Sequence, residues 1–537
     1  MTPPVPHSEP PRSQPHPRGT APVPSPATTS RKSGEAGRWE QLDRHTVWAS
    51  AITVAGFGAG VAVPFVAGFV RGGTSPVPVL LISGGGVVLL TVLATVADWM
   101  RWRHTRYRIT DERVELRYAW VLHTLRSIPR DRVRTVDLVA NPLLRMFGLT
   151  KVKIGTGQQV TGQQSHLTLD PVRRARAEEL RRVLLERAPA AGETTEPDTG
   201  PALATLDWSW IRYAPIGVTT PILGTAAFGA VMQVSDWIGV QNSVIQYVGD
   251  LFANTSIVVL VLVLVAIGVL IGVVGSLGLF VEMWWRYRLT RENGTLLVRR
   301  GLFTTRSLSL EQRRLRGVDV FEPLGARLVG AARVDVVATG LKVRSDKDNT
   351  DPKTLMPAAP IALARRVAVD VLRADPLAGV DIRPHPTAAR NRRIAWALYA
   401  ALGIAAVLAV LGLLLTTVLL HLAWIAALVL TPVAIALALD DYRNLGHGLS
   451  GDYLVTRYGA GSRHTVALLR GGIIGWNVRR SPFQRRSGLV TIAATTAAND
   501  GRFFVRDVGE QEGLRLAEEA VPGLLTPFLE PVTPARP

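Results

Sequence analysis

The chain of 537 residues has no cysteine, which excludes a disulfide framework, a thiol nucleophile and a Cys-ligated zinc site. Its ten histidines are scattered, and the sequence holds no HExxH pair, serine elbow, Walker loop or pair of acids on one helix face. Catalysis has no constellation to start from, so the expectation is a non-enzymatic protein with no cofactor and no metal. Acidic residues are also in deficit: 42 Asp and Glu against 61 Lys and Arg give a formal net charge of +19. That excess is unevenly spread. Residues 213–285 hold no Lys or Arg, and residues 394–439 hold no Asp, Glu, Lys or Arg.

Against these absences stands a hydrophobic content of 47%. A soluble protein must place apolar length and strong charge on one surface. A membrane protein separates them, with apolar residues in spans and Lys and Arg in cytoplasmic loops. Crossing about 30 Å of hydrocarbon takes roughly 20 apolar residues. Six runs qualify, in three pairs: 47–70 with 77–100, 213–234 with 252–281, and 394–439 read as two helices turning near His421. The run at 213–234 is weakened by Pro215 and Pro221. Glycine runs in the first pair ("GFGAG", "SGGGVV") lie inside spans and point to close helix packing.

The predicted order is a Pro/Ser/Arg-rich disordered tail (1–44), transmembrane pair 1 (47–100), a soluble module (101–188) and a linker (189–209). Pair 2 (210–283), a second module (284–376), pair 3 (394–439) and a third module (440–530) follow. The tail has no signal-peptide core, so no cleavage is expected. Dense Arg in 101–212 and 286–393 places the modules and both termini in the cytoplasm. Trp48, Trp99, Trp102, Trp208, Trp210, Trp284, Trp285 and Trp396 fall near span ends, as an interfacial belt requires.

The soluble modules repeat. "WRHTRYRIT" (102–110), with Arg106, Tyr107 and Arg108, matches "WWRYRLT" (284–290), with Arg286, Tyr287 and Arg288. Further on, Arg126-Ser127-Ile128 corresponds to Arg306-Ser307-Leu308. Pro142, Arg145 and Gly148 correspond to Pro323, Arg327 and Gly330, with one extra residue in the second copy, and to Pro482, Arg486 and Gly488 in the third. Each copy has short alternating runs, the signature of strands, and ends in a helical segment. In "DPVRRARAEELRRVLLERA" Asp170 is a candidate N-cap with Pro171 at the first helical position, and Val172, Ala175, Leu180 and Leu184 supply an apolar face. "GTGQQVTGQQ" (155–164) reads as a flexible loop. The fold class is α+β: six transmembrane helices in three pairs, each pair followed by a small antiparallel barrel or sandwich closed by one helix.

That architecture and these motifs resemble the bacterial PH-domain membrane proteins of the YdbS/YdbT type; "RRSPFQRRSGLVTI" in the third copy is the closest statement of the motif. The resemblance implies a PH-like fold and no established reaction. It also implies a role in envelope maintenance or antimicrobial-peptide tolerance, with a smaller PH-like membrane protein as a fitting partner. From the residues, the prolines are expected to shape a turn that docks the following apolar residue. The Trp/Arg clusters are expected to anchor at the leaflet and attract anionic lipid weakly and without specificity. Nucleic acid is not expected as a partner, since membrane orientation accounts for the Arg excess and no recognition motif is present. The competing function is a transporter or channel component. Against it, the span interiors lack acids and bases; Asp98 and Glu282 lie near span ends.

Overall fold

A computed structural model describes residues 39–71, 73–110, 112–119, 123–130, 133, 135–155, 166–185, 202–237, 240–251, 256–292, 294–339, 341, 353–498 and 501–528. Most of the sequence-predicted tail (1–38) and linker (189–201), and 156–164 of the glycine-rich loop, lie outside the described residues.

The first repeat opens with a two-residue strand β1 (Glu40–Gln41), inside the range read as tail, followed by α1 (His45–Arg71) and α2 (Pro76–His104). Then come β2 (Thr105–Ile109), β3 (Arg113–Ala119), β4 (His123–Pro129), β5 (Thr135–Ala140), the short helix α3 (Pro142–Met146), β6 (Leu149–Gly155), β7 (His166–Arg173) and α4 (Arg174–Leu185). The second repeat has β8 (Ala204–Thr205), a 3-10 segment Trp208–Ile216, α5 (Thr219–Trp237), α6 (Gln241–Leu251) and α7 (Ile257–Trp284). Its module holds β9 (Arg288–Glu292), β10 (Thr295–Arg300), β11 (Thr305–Glu311), β12 (Leu315–Glu322), α8 (Leu324–Leu328), β13 (Ala331–Ala338), β14 (Thr354–Pro360) and α9 (Ile361–Leu372). The third has α10 (Thr387–Leu414), α11 (Thr417–Asn444), β15 (Gly446–Ser450), β16 (Tyr453–Tyr458), β17 (Arg463–Leu469), β18 (Ile473–Arg479), α12 (Pro482–Arg486), β19 (Leu489–Thr496), β20 (Arg502–Gly509) and α13 (Glu510–Ala520).

Among the described residues the protein is mixed α+β, with four antiparallel sheets and five helices long and apolar enough to cross a membrane. A sixth span exists if Trp208–Ile216 and the following helix, bent by 67°, act as one. Pro215 lies inside that 3-10 segment, where a missing N–H disfavours a straight α-helix. The third pair turns at Leu415–Thr416, so His421 is inside α11 and not at the turn. Of the glycines in the two runs of the first pair, Gly58 approaches the partner helix, with Val87 3.0 Å from where its Cβ would be; no other element lies within 4 Å of that point at Gly56, Gly60, Gly84, Gly85 or Gly86. Closer packing is found in the second pair, where a Cβ on Gly224 would stand 2.3 Å from the Gly268 carbonyl and one on Gly272 2.2 Å from that of Thr220, and in the third, where one on Gly412 would stand 2.5 Å from the Leu420 nitrogen.

Each module is two half-sheets packed face to face over an apolar core and covered by the closing helix. In the first module Val114 and Ile128 from one half-sheet meet Val136, Val152 and Leu169 from the other, and Ala177, Leu180 and Leu184 of α4 seal the core. The helix begins later than the sequence suggests. Asp170, Pro171 and Val172 belong to β7, where Asp170 accepts from Lys151 Nζ at 2.6 Å, and Ala177 takes the inward place predicted for the exposed Ala175.

Register fixes how the copies correspond. Val114, Leu296 and Leu454 face Ile128, Leu310 and Leu468 respectively. Ser127 therefore matches Ser309, two residues along from the sequence pairing with Ser307. A slip of two residues keeps every side chain on the same face, so alternation alone does not reveal it.

Candidate functional site

The proline motif forms a short helix at the foot of each span pair. The N-caps are Asn141, Pro323 and Ser481, so Pro142 and Pro482 occupy the first helical position while Pro323 sits one residue earlier. This accounts for the extra residue in the second copy. Arg145, Arg327 and Arg485 donate their backbone N–H to those N-caps' carbonyls, at 2.9, 2.8 and 2.9 Å. Arg485, not Arg486, is the third member. Gly148, Gly330 and Gly488 end the helices at φ +65°, +68° and +63°, a left-handed conformation costly for any side chain. Their carbonyls each accept from the first residue of a closing helix: Arg174, Ile361 and Glu510. The docked residue is not the one after proline, since Leu324 and Phe483 are exposed; Leu144, Ala326 and Gln484 are the buried ones. Phe483 instead stands edge-on to Trp396 of α10 at 5.8 Å, beside the membrane segment.

The half-sheets do not stop at module boundaries. β5 of the first module pairs with β11 of the second, from Ala140 opposite Thr305 to Thr135 opposite Leu310. β12 of the second pairs with β17 of the third, from Glu322 opposite Arg463 to Gly317 opposite Leu468. Both joints have the same register. The second is sealed by Arg463, whose Nε and Nη2 donate to Glu322 at 2.9 and 2.6 Å, and by His464 Nδ1 against Asp319 at 2.8 Å. Across the first, Arg314 Nη2 donates to the Val133 carbonyl at 2.7 Å. Two motif arginines also bridge modules. Arg145 Nη1 donates to the Leu302 carbonyl at 2.6 Å, and Arg327 Nη1 to Asp440 at 2.9 Å.

Asp440 and Glu282 lie outside the repeated motif, and Glu282 has a role beyond its place near a span end. Each lies at the end of a span and clamps the β-hairpin of its own module. Glu282 accepts from the backbone N–H of Phe303 and Thr304 at 2.8 and 3.0 Å, and Asp440 from that of Gly461 at 2.9 Å. The signal was an acid closing two apolar runs.

The juxtamembrane clusters divide. Trp284 and Tyr287 are buried in the core of the second module with Trp210 and Tyr213, not at an interface, and Arg300 stacks on Trp284 at 4.2 Å. Tyr107 is buried likewise, donating its hydroxyl to Glu40. Trp102 Nε1 donates to the Leu42 carbonyl at 2.7 Å, tying the span to the lead-in strand. Arg108 is held by Glu115 at 2.6 Å. Trp285 packs on Trp208 at 5.3 Å. Arg106, Arg286, Arg288 and Arg486 are exposed, as are Trp48, Trp99 and Trp396. An aromatic ring next to a span serves a core as readily as a headgroup layer.

The model of the bacterial PH domain family matches residues 54–188, 243–374 and 399–519, most of the chain and all three repeats. The chain belongs to the bacterial PH domain family. It is 20% identical to the UPF0699 transmembrane protein YdbT of Bacillus subtilis (strain 168) over 450 residues, covering 80% of this chain and 86% of that protein. No solved structure matches it significantly. With its candidate spans, this makes it a multi-pass membrane protein carrying three bacterial PH domains.

The third bacterial PH domain carries two further features. A cleft of about 1050 Å³ lies between α10, α11 and the domain, lined by Ile404 and Leu430 above and by Arg392, Arg479 and Arg506 below. Asp507 spends much of that charge, since it accepts from Arg392 at 2.7 Å, Arg393 at 3.0 Å and Gln484 Nε2 at 2.7 Å. Nearby, His385 and His447 form a buried pair with Nε2 and Nδ1 3.0 Å apart. The Asp507 carbonyl, 3.1 Å from His385 Nδ1, can only accept. His385 therefore carries its proton on Nδ1, and its Nε2 accepts from His447 Nδ1–H.

Proposed function

We propose that this protein is a non-enzymatic membrane scaffold, presenting its three bacterial PH domains at the cytoplasmic face as one continuous row for protein partners. The observation that carries this reading is the pair of identical joints, which turns three domains into a single strand-linked platform beneath the spans. Such a row holds partners at fixed spacing, which separate domains on linkers would not. The cytoplasmic placement follows from Lys and Arg being absent from 213–285 and dense in the modules. Anionic lipid is a weak, salt-sensitive accessory ligand at the Arg-lined cleft, because Asp507 and Asp441 already offset part of the charge there. A role in envelope maintenance or antimicrobial-peptide tolerance extends the family resemblance.

The cysteine-free background makes topology directly testable. Ser243 and Ser487 are both exposed. In intact cells an impermeant thiol reagent is expected to label Ser243→Cys, and Ser487→Cys only after permeabilisation. The reverse pattern would overturn the cytoplasmic platform.

A further inference from the structure

Each domain has one strand in the place of β11 and one in the place of β5; the two joints use four of these six, and two remain. Among the described residues, β4 of the first domain has only β3 as a neighbour, and β18 of the third has only β19. β4 stands where β11 and β17 stand in the other domains, and β18 where β5 and β12 stand. The molecule therefore displays, at opposite ends, the two halves of a joint it makes twice internally. We infer that these edges join head to tail between copies of this chain, β18 of one copy pairing with β4 of the next.

The internal register transfers without adjustment. Thr135 faces Leu310 and Gly317 faces Leu468, which sets Gly475 opposite Ile128 of the neighbouring copy. Three side-chain pairings follow. Val478 meets Leu125; they are 44% and 60% exposed here, whereas the residues equivalent to Val478, Leu138 and Val320, are 7% and 2% exposed inside completed joints. Trp476 meets Ser127: its buried Nε1 has no acceptor and the buried Ser127 Oγ has no donor among the described residues. Asn477 meets Arg126 as acceptor and donor.

The motif arginine agrees. Arg145 and Arg327 each bridge to the following domain, while the exposed Arg485 side chain makes no hydrogen bond among the described residues. Edge protection is partial: β18 has a bulge at Ile473/Gly475 and ends in Arg479, and β4 carries Arg126, but the equivalent bulge at Leu315/Gly317 of β12 lies in a completed joint. β18 has no proline and exposes Ile474 and Val478, and Pro129 of β4 falls outside the paired register. A separate one-domain protein could pair with either edge alone. A second copy offers both complementary edges and the same register, so it is the occupant favoured. All spans must cross one bilayer, so copies are related by rotation about the membrane normal, and a contact of this heterologous kind repeats as a ring or a row.

The inference rests on the platform reading only in placing all modules on one side of the membrane, which the labelling of Ser243→Cys and Ser487→Cys tests separately. The experiment co-expresses two differently tagged full-length chains in membranes, one with Asn477→Cys and the other with Arg126→Cys, followed by mild oxidation. The expected product carries both tags at twice the 58.1 kDa chain mass. Pairing Asn477→Cys with Leu125→Cys, whose side chain points to the other face, should give several-fold less. Adding Val478→Lys, a change at an exposed edge, should cut the yield about tenfold while leaving the thermal unfolding of the chain unchanged. A yield no higher than the mismatched control, or insensitive to Val478→Lys, would overturn the inference. So would a disulfide formed only within one chain when both cysteines are placed on it.

Discussion

Replacing Arg463 with alanine is expected to destabilise the protein by about 3 kcal/mol, the largest effect of any single change at the joints. The guanidinium donates twice to Glu322, whose side chain is only 4% exposed. Removing it leaves a carboxylate stranded at the seam between the second and third domains. The figure sits at the low end for a broken buried pair because Arg463 itself is 23% exposed, so water reaches one side of it. Glu322→Ala/Arg463→Ala should be milder than Arg463→Ala alone, since no unpaired carboxylate remains. Denaturant unfolding of the detergent-solubilised chain measures both. A shift below about 0.5 kcal/mol for Arg463→Ala, as for an ordinary surface residue, would mean that this seam carries no load.

Acid is expected to weaken the third domain through its histidine pair. Burial, then the neighbouring His385 and Arg383, holds His447 down at about 3. His385 is lowered as well, chiefly by burial. The groups facing the pair are Arg383, Arg393, Asp507 through both its carbonyl and its carboxylate, and Glu512, whose Oε1 is 3.5 Å from His447 Nε2. In the unfolded chain His447 takes up a proton below about 6.5, while in the folded protein it stays neutral. Its contribution is therefore fully present above pH 6.5 and declines as pH falls toward about 3. The slope is about 1.4 kcal/mol per pH unit, or about 2 kcal/mol between pH 6.5 and 5, with His385 adding in the same direction. Unfolding followed across that interval at fixed salt should show the loss, and His447→Gln should flatten it. Stability constant from pH 6.5 to 5 would contradict the buried neutral pair.

What the sequence made legible, and what it hid, separates on physical grounds. Spans of about 20 apolar residues and a threefold repeat are strong periodic signals, and both are present, with the weak run at Pro215 becoming the bent segment. The joints were hidden because a strand pairing within a module and one pairing across modules have the same alternation. Thr305 to Leu310 reads identically whether its neighbour is its own domain or β5. Lead-in strands of two residues, such as Glu40–Gln41 and Ala204–Thr205, fall below any pattern threshold. Trp284 and Tyr287 misled because a core and a headgroup layer favour the same side chains. Pro323 hid a one-residue displacement that only the N-cap geometry resolves. The roles of Glu282 and Asp440 could have been found: an acid directly ending an apolar span calls for a partner, and each clamps a hairpin.

If neighbouring domains share a continuous sheet, a disulfide placed across the first joint should close within one chain. Val139 and Arg306 lie opposite each other across the first joint. In the otherwise cysteine-free chain, Val139→Cys/Arg306→Cys should oxidise rapidly within single molecules, read as loss of free thiol at unchanged mass. Val139→Cys/Ser307→Cys, with the second side chain on the opposite face, should oxidise at least tenfold more slowly. Equal rates for the two pairs, or no intramolecular disulfide in either, would contradict the strand-linked row.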